Sequence, residues 1–105
     1  MPPPDPSWPF ADPPETEVIT LARILKGDAP LRLVTHDEDD GSWQFLDGDQ
    51  VFEEDAALVT LGFMAMLEPS ILELGDLPIG WQAIRDDPDQ PWRRDEEKSP
   101  VDDLD

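Results

Sequence analysis

At residues 31–46 the chain reads LRLVTHDEDDGSWQFL. Apolar and polar residues alternate at 31–35 and again at 42–46, which predicts two β-strands with Trp43 and Phe45 on one face of the second. The Asp-Gly step at 40–41 is typical of a tight turn, because glycine adopts the positive φ that such turns require. The stretch therefore predicts a β-hairpin.

The segments on either side of this hairpin predict further strands and short helices. Residues 16–27 indicate a helix that begins at a Thr16 cap and ends at Gly27, although residues 18–21 also fit a strand. We expect a strand at 57–61, a buried helix at 62–67, a helical turn at 71–74 and a last strand at 78–85. The expected fold class is α+β: a small antiparallel sheet with a central hairpin, covered on one face by two or three short helices.

Both ends of the chain have a composition that disfavours packed structure. Seven of the 13 prolines lie within residues 1–14, where they interrupt helix and sheet alike. Trp8 and Phe10 are the large apolar side chains of that segment, and they either fold back onto the domain or contact a partner. We expect a disordered proline-rich tail at 1–14, a single α+β domain at 15–94 and a disordered acidic tail at 95–105.

The charge of the chain restricts the classes of partner. There are 26 acidic and 7 basic residues, which give a formal net charge of -19. This charge argues against binding to nucleic-acid phosphates or to an anionic membrane surface, and it is compatible with a basic protein partner. Cysteine is absent, so disulfides and thiolate metal sites are excluded. The sequence has neither a signal peptide nor an apolar run of the ~18 residues that a membrane span needs, so we expect a cytoplasmic protein.

His36 and the acids at 37–40 form the densest cluster of side chains that could carry chemistry. Carboxylates suit hard cations and imidazole suits transition metals, so His36, Asp37 and Asp39 are weak candidates for metal ligands. The spacing does not match a calcium-binding loop, because the glycine at 41 comes one position early. A solvated hairpin turn is the competing interpretation. We predict no metal and no cofactor, and keep a divalent-cation-binding protein as an alternative.

Catalysis is not indicated by any arrangement of residues in the sequence. His36 is the single histidine, and none of the serines lies in a nucleophile-elbow pattern. A glycine-rich phosphate loop is also missing. Raising a carboxyl pKa requires burial, whereas most acids here fall in expected turns and tails. We predict no catalytic residue and no enzyme, with a small hydrolase using His36 and the adjacent acids as the alternative.

Three sequence motifs resemble known groups of proteins. The THDEDDG-x-WQFL motif at 35–46, with VTLG at 59–62 and LPIGWQA at 77–83, resembles a group of small bacterial proteins of unknown function. More distantly, GSWQFLDGD at 41–49 and PIG at 78–80 are similar to a domain family grouped with polymorphic-toxin immunity proteins. The resemblance covers about residues 17–92. The first group implies no reaction, and the second implies a protein that neutralises a toxin by binding it.

The leading hypothesis is a non-catalytic protein-binding module, immunity-like or inhibitory, that presents an acidic face to a basic protein. The acids at 37–40, with Asp47 and Asp49 near the opposite end of the hairpin, would steer such a partner. Trp43 or Trp81 would supply an apolar anchor. Arg85 is a further candidate, although pairing within the fold is its other expected use. The predicted binding residues are Asp37, Glu38, Asp39, Asp40, Trp43, Trp81 and Arg85.

Overall fold

The structure, a computed structural model, describes residues 8–39 and 41–96. Its strands and α-helices are β1 (Glu17–Leu21), α1 (Ala22–Leu25), β2 (Leu33–His36), β3 (Trp43–Leu46), β4 (Ala56–Thr60), α2 (Leu61–Leu67), β5 (Trp81–Ile84) and β6 (Arg93–Glu96). Two short 3-10 helices, Glu53–Asp55 and Pro69–Leu74, precede β4 and follow α2. The fold class is α+β.

The strands of the described residues form one mixed sheet in the order β4-β1-β3-β2-β5-β6. β2 pairs with β3 in antiparallel register, from Leu33 opposite Leu46 to His36 opposite Trp43. β5 lies on the other side of β2, with Trp81 also opposite His36. The last residue of β2 therefore lies between the first residues of β3 and β5, both of which are tryptophans.

The expectation of an antiparallel sheet is wrong for one strand pair. β1 and β3 run parallel, with Ile19 beside Gln44, whereas β1 and β4 are antiparallel. The cause lies in the connection between β1 and β2, which contains α1 and residues 26–32. This connection reverses the chain direction and leaves a gap one strand wide between β1 and β2. The turn after β2 then brings β3 into that gap. The alternation of apolar residues within a strand carries no information about this neighbour choice.

The helix predicted at 16–27 is mostly a strand. β1 extends to Leu21, and α1 contains only Ala22–Leu25. The β-branched residues Val18, Ile19 and Thr20 favour extended backbone, and here they gain ladder bonds to strands on both sides. Thr16 does not cap a helix, because β1 begins at the next residue, and the Thr16 carbonyl accepts a hydrogen bond from the Leu61 N–H at 2.8 Å. Gly27, with φ of 80°, follows α1 as predicted.

One face of the sheet belongs to a single hydrophobic core. Successive side chains of a strand point to opposite faces, so alternate residues of each strand share this side. They are buried together with apolar residues of α2 and of the second 3-10 helix: Val18, Val34, Trp43, Phe45, Ala83, Leu61, Met64, Ile71 and Leu74. Thr20 is buried in the same sheet, and its hydroxyl donates to the Phe45 carbonyl at 2.8 Å. The polar group is thereby satisfied inside the core.

The domain is wider than the predicted range of 15–94. Phe10 is buried and packs edge-on against Trp43, with ring centroids 5.2 Å apart. Pro9 lies so close to Gly75 that a Cβ on this glycine would stand 2.6 Å from the Cβ of Pro9. At the other end, β6 pairs with β5 through residues 93–96. Residues 8–14 and 95–96 therefore belong to the domain, while the rest of the predicted tails lies outside the described residues.

Candidate functional site

The turn after β2 and the turn before β5 meet at one end of the sheet. The Gly80 N–H donates to the His36 carbonyl at 2.7 Å, and the Trp81 N–H donates to the Pro78 carbonyl at 3.1 Å. The first bond joins two loops that are about 40 residues apart in sequence, and the second closes the turn before β5. We call this region, made of Asp37, Glu38, Asp39, Gly41 and residues 78–80, the acidic tip.

Asp37 fixes the conformation of the acidic tip. Its N–H donates to the Ser42 carbonyl at 2.8 Å, and its carbonyl accepts from the Gly41 N–H at 2.9 Å. Its carboxylate accepts a further bond of 2.8 Å from the Asp39 N–H. Gly41 has a φ of 72°, which side chains rarely tolerate. Asp37, predicted as a binding residue, thus has a structural use as well; Asp40 lies outside the described residues.

Acidic and apolar groups are exposed side by side on the acidic tip. Glu38 and Asp39 are exposed, and Ile79 is 57% exposed. Glu38 lies over Gly80, where a Cβ would stand 3.3 Å from Oε2 of the glutamate. The Cδ1 atom of Ile79 lies 3.7 Å from the position of a Cβ on Gly41. The tip therefore offers carboxylates for long-range attraction and an apolar side chain for contact.

The carboxylates of the acidic tip have no positive partner within residues 8–39 and 41–96. Each arginine of this part of the chain forms an ion pair with an acid elsewhere. The pairs are Arg23 with Asp47 and Asp55, Arg32 with Asp49, Arg85 with Glu68, Arg93 with Asp86 and Arg94 with Asp76. Within this part of the chain, Glu38 and Asp39 thus form no ion pair.

His36 is anchored inside the sheet end. Its ring stacks on Trp43 with centroids 3.9 Å apart, and its Nδ1 lies 2.8 Å from the Leu77 carbonyl. A carbonyl oxygen only accepts, so Nδ1 carries the proton of this bond. The described residues contain no group of three or more His, Asp or Glu side chains placed to hold a metal. The weak metal candidates His36, Asp37 and Asp39 are thus not brought together as ligands.

Trp43, predicted as an apolar anchor, is a core residue. It is buried between His36, Phe10 and Phe45. Its indole N–H donates to the Asp12 carboxylate at 3.0 Å. A strand that alternates at 42–46 puts this side chain on the buried face, so Trp43 is unavailable to a partner. Trp81 is half-buried beside the acidic tip and remains accessible in part.

Arg85, also predicted as a binding residue, holds the domain together. It is 3% exposed and donates to the Leu31 carbonyl at 3.0 Å, the Ser70 hydroxyl at 3.0 Å and the Pro88 carbonyl at 3.1 Å. Its guanidinium lies 4.1 Å from the centroid of the Trp92 ring. One side chain thus connects the end of β5 to the second 3-10 helix and to the segments before β2 and after β5, and a partner cannot reach it. The pairing within the fold that the sequence offered as its other use is the observed one.

The ion-pair network around Asp47 was not predicted. Asp47 was expected to face a partner, but it is 2% exposed and accepts hydrogen bonds from Arg23. These bonds hold the pKa of the Asp47 carboxyl below its ordinary value and raise the pKa of Arg23. Arg23 also donates to Asp55 at 2.9 Å. The sequence feature that could have drawn attention to this pair is the position of Arg23, the first basic residue in a chain rich in acids.

A shallow groove of about 370 Å³ lies across the end of the sheet opposite to the acidic tip. It is lined by Arg32, Leu33, Asp47, Gly48, Gln82, Ile84, Arg85 and Asp86. Arg32 donates to the Asp47 carbonyl at 3.0 Å and pairs with Asp49, and Arg85 is committed as described above. The groove therefore offers no uncommitted arginine to a ligand.

Comparison with known protein families, curated proteins and solved structures finds no match to this chain. Within the described part of the chain, neither α-helix has the length and apolar character needed to cross a lipid bilayer.

Proposed function

We propose that the chain is a non-catalytic protein-binding module that presents its acidic tip to a basic partner protein. The observation that carries the proposal is the combination of unpaired carboxylates with an exposed apolar side chain at one end of the sheet. The described arginines pair with acids elsewhere in the fold, whereas Glu38 and Asp39, beside the exposed Ile79, form no ion pair with another described residue. A surface of this kind attracts a basic partner at long range and contacts it through an apolar group.

The proposal includes the finer features that follow from the sequence. β2 and β3 form a central hairpin whose turn carries the acidic tip, and short helices cover one face of the sheet. The role is inhibitory or immunity-like, and the protein acts in the bacterial cytoplasm without a cofactor. The net charge of -19 supports a basic protein as the partner over nucleic acid or a membrane surface.

The test is capture of partners from a native lysate at low and at high salt. Three immobilised proteins are compared: the wild type, the tip variant Glu38→Gln/Asp39→Asn, and the control variant Asp87→Asn/Asp89→Asn. The tip variant keeps Asp37 and therefore the hydrogen bond that orders the turn. The control removes the same charge from two exposed residues of another loop.

We expect one stoichiometric basic protein on the wild type and on the control at low salt. Its release at high salt follows from screening of exposed charges beyond about 8–10 Å. The tip variant should retain much less of it. Equal retention on all three proteins would exclude the acidic tip as the binding surface.

A further inference from the structure

An uncharged and partly exposed stretch stands out in this acidic chain. No charged residue occurs from position 56 to position 67, which includes all of β4 and α2. Leu58 of β4 is 66% exposed and Met66 of α2 is 80% exposed, and Phe63 and Leu67 are exposed as well. Phe63, Met66 and Leu67 follow helical spacing and share one face of α2. On a highly charged protein, an uncharged stretch with this many exposed apolar side chains is a candidate contact region.

β4 is an outer strand of the sheet and has free backbone groups. The Leu61 N–H donates to the Thr16 carbonyl at 2.8 Å, and the register pairs Val18 with Val59 and Ile19 with Leu58. Backbone groups of an antiparallel strand point alternately toward and away from the neighbour. Val59 therefore faces β1 like Leu61, and the N–H and carbonyl of Leu58 point away from the sheet. Within the described residues, no strand pairs with this side of β4.

The edge of β4 lacks three features that commonly protect edge strands, namely proline, charge and a bulge. Its residues, Ala-Ala-Leu-Val-Thr, include no proline and no charge, and the strand is continuous along β1 over five residue pairs. Natural edge strands are blocked by such features, because an open edge binds further strands. An extended backbone can form hydrogen bonds with the outward-pointing N–H and carbonyl of Leu58, so a β-strand is the occupant that suits this edge best.

Charge selects among the possible strands. Exposed acids, Glu53 and Glu54, precede β4, and the exposed Glu17 lies opposite Thr60 at its other end. No lysine or arginine occurs at positions 1–22 or 51–84. An incoming strand with an apolar centre and basic residues at both ends is complementary to this arrangement. A second copy of the chain would bring two net charges of -19 together. Residues 1–7 are rich in proline and residues 97–105 are acidic, so neither terminus fits.

We propose that β4 is a docking edge for an extended segment of a partner protein, with apolar residues at alternate positions and lysine or arginine at both ends. The segment adds a seventh strand to the sheet beside Leu58 and places its basic ends near Glu17 and Glu53. This surface is separate from the acidic tip, and the proposal does not depend on the function of the tip.

The experiment uses the full chain labelled with ¹⁵N and the peptide Lys-Lys-Val-Thr-Val-Thr-Val-Lys-Lys as the probe. One control peptide replaces the four lysines by glutamate, and a second carries N-methyl groups at alternate positions, which removes the donors that a ladder needs. Leu58→Thr removes the exposed apolar side chain and keeps a strand-forming residue. Leu72→Thr, the same change at an exposed leucine of the second 3-10 helix, is the matched control.

We expect the lysine-flanked peptide to shift the amide signals of Leu58 and Thr60, and both control peptides to bind at least about tenfold more weakly. Leu58→Thr should weaken binding about tenfold, while Leu72→Thr and Asp87→Asn/Asp89→Asn leave it unchanged. Equal binding of the glutamate-flanked peptide, or shifts confined to the acidic tip, would overturn the proposal. So would a concentration-dependent dimer in which the Leu58 amide is protected before peptide is added, because a second copy would then be the occupant.

Discussion

Arg23 holds the buried carboxylate of Asp47 through two hydrogen bonds, of 2.7 Å from Nε and 2.9 Å from Nη2. The pair ties α1 to the end of β3, and the Asp49 N–H donates a third bond of 3.0 Å to the same carboxylate. Asp47→Asn should therefore lower the free energy of unfolding by about 3 kcal/mol near neutral pH. Asp49→Asn, at an exposed position, should change it by less than about 1 kcal/mol. Urea unfolding measures both.

The same pair predicts how stability depends on pH. Arg23 lowers the pKa of the Asp47 carboxyl below its ordinary value of 3.8 in the folded state. A lowered folded-state pKa contributes stability that is complete above the unfolded-state pKa and is lost as the pH falls through the folded-state pKa. The difference between wild type and Asp47→Asn should therefore be constant above about pH 5 and shrink below pH 3.8. A difference that stays constant to the lowest measurable pH would contradict the ion pair.

The burial of Phe10 predicts that residues before β1 stabilise the domain. Phe10→Ala should destabilise the protein by about 3 kcal/mol, because a ring is removed from a packed site against Trp43. Glu15→Gln, at an exposed position between Phe10 and β1, is the control and should have little effect. The midpoint of urea unfolding reports both. If Phe10→Ala matched the control, this segment would not be part of the folded domain.

Arg85 connects separate segments through three hydrogen bonds, an ion pair with Glu68 and a ring contact with Trp92, so its loss should appear as instability and not as weaker binding. Arg85→Ala leaves the Leu31 and Pro88 carbonyls without this donor and should cost about 3 kcal/mol. Arg85→Lys keeps the charge but not the forked geometry of the guanidinium, so its stability should lie between those of the wild type and Arg85→Ala. Thermal unfolding combined with partner capture separates the two roles. Reduced capture by a fully folded Arg85→Lys protein would assign this residue to the binding surface after all.

Gly80 is predicted to be required both for its backbone conformation and for its contact with Glu38. Gly80 and Gly27 have similar φ values, 87° and 80°, but a Cβ meets Glu38 at Gly80 and open space at Gly27. Gly27→Ala should destabilise by about 1 kcal/mol, from backbone strain alone. Gly80→Ala should destabilise by more, and the excess should shrink in a Glu38→Ala background. An excess that is independent of residue 38 would mean that Glu38 does not lie over this turn.

Part of this architecture was accessible from the sequence because it is local. The alternation around the Asp-Gly step places strands where the structure has Leu33–His36 and Trp43–Leu46. The uncharged run at 61–67 forms α2 nearly where the helix was expected. Strand order was not accessible, because a period of two residues indicates which face is buried but not which strand is the neighbour. The parallel pairing of β1 with β3 is the consequence.

The candidate site divides in the same way. The acids of the turn after β2 were visible as a cluster in the sequence. Their proximity to Ile79 depends on β5 pairing with β2, a contact between distant segments. The burial of Trp43, Asp47 and Arg85 depends on tertiary packing that composition does not reveal. Trp43 and Arg85 belong to residue types that are enriched at interfaces, and Asp47 was expected to steer a partner; each instead satisfies a partner inside the fold.

The most direct test of binding through the acidic tip is the association rate constant of the captured basic partner, measured as a function of ionic strength. We expect this rate constant to fall steeply with salt for the wild type and for Asp87→Asn/Asp89→Asn, because long-range attraction by the acidic tip guides the encounter. For Glu38→Gln/Asp39→Asn the rate at low salt should be several-fold lower and depend less on salt, with the dissociation rate changed little. If the tip variant associated as fast as the wild type at every ionic strength, the acidic tip would not be the surface that guides the partner.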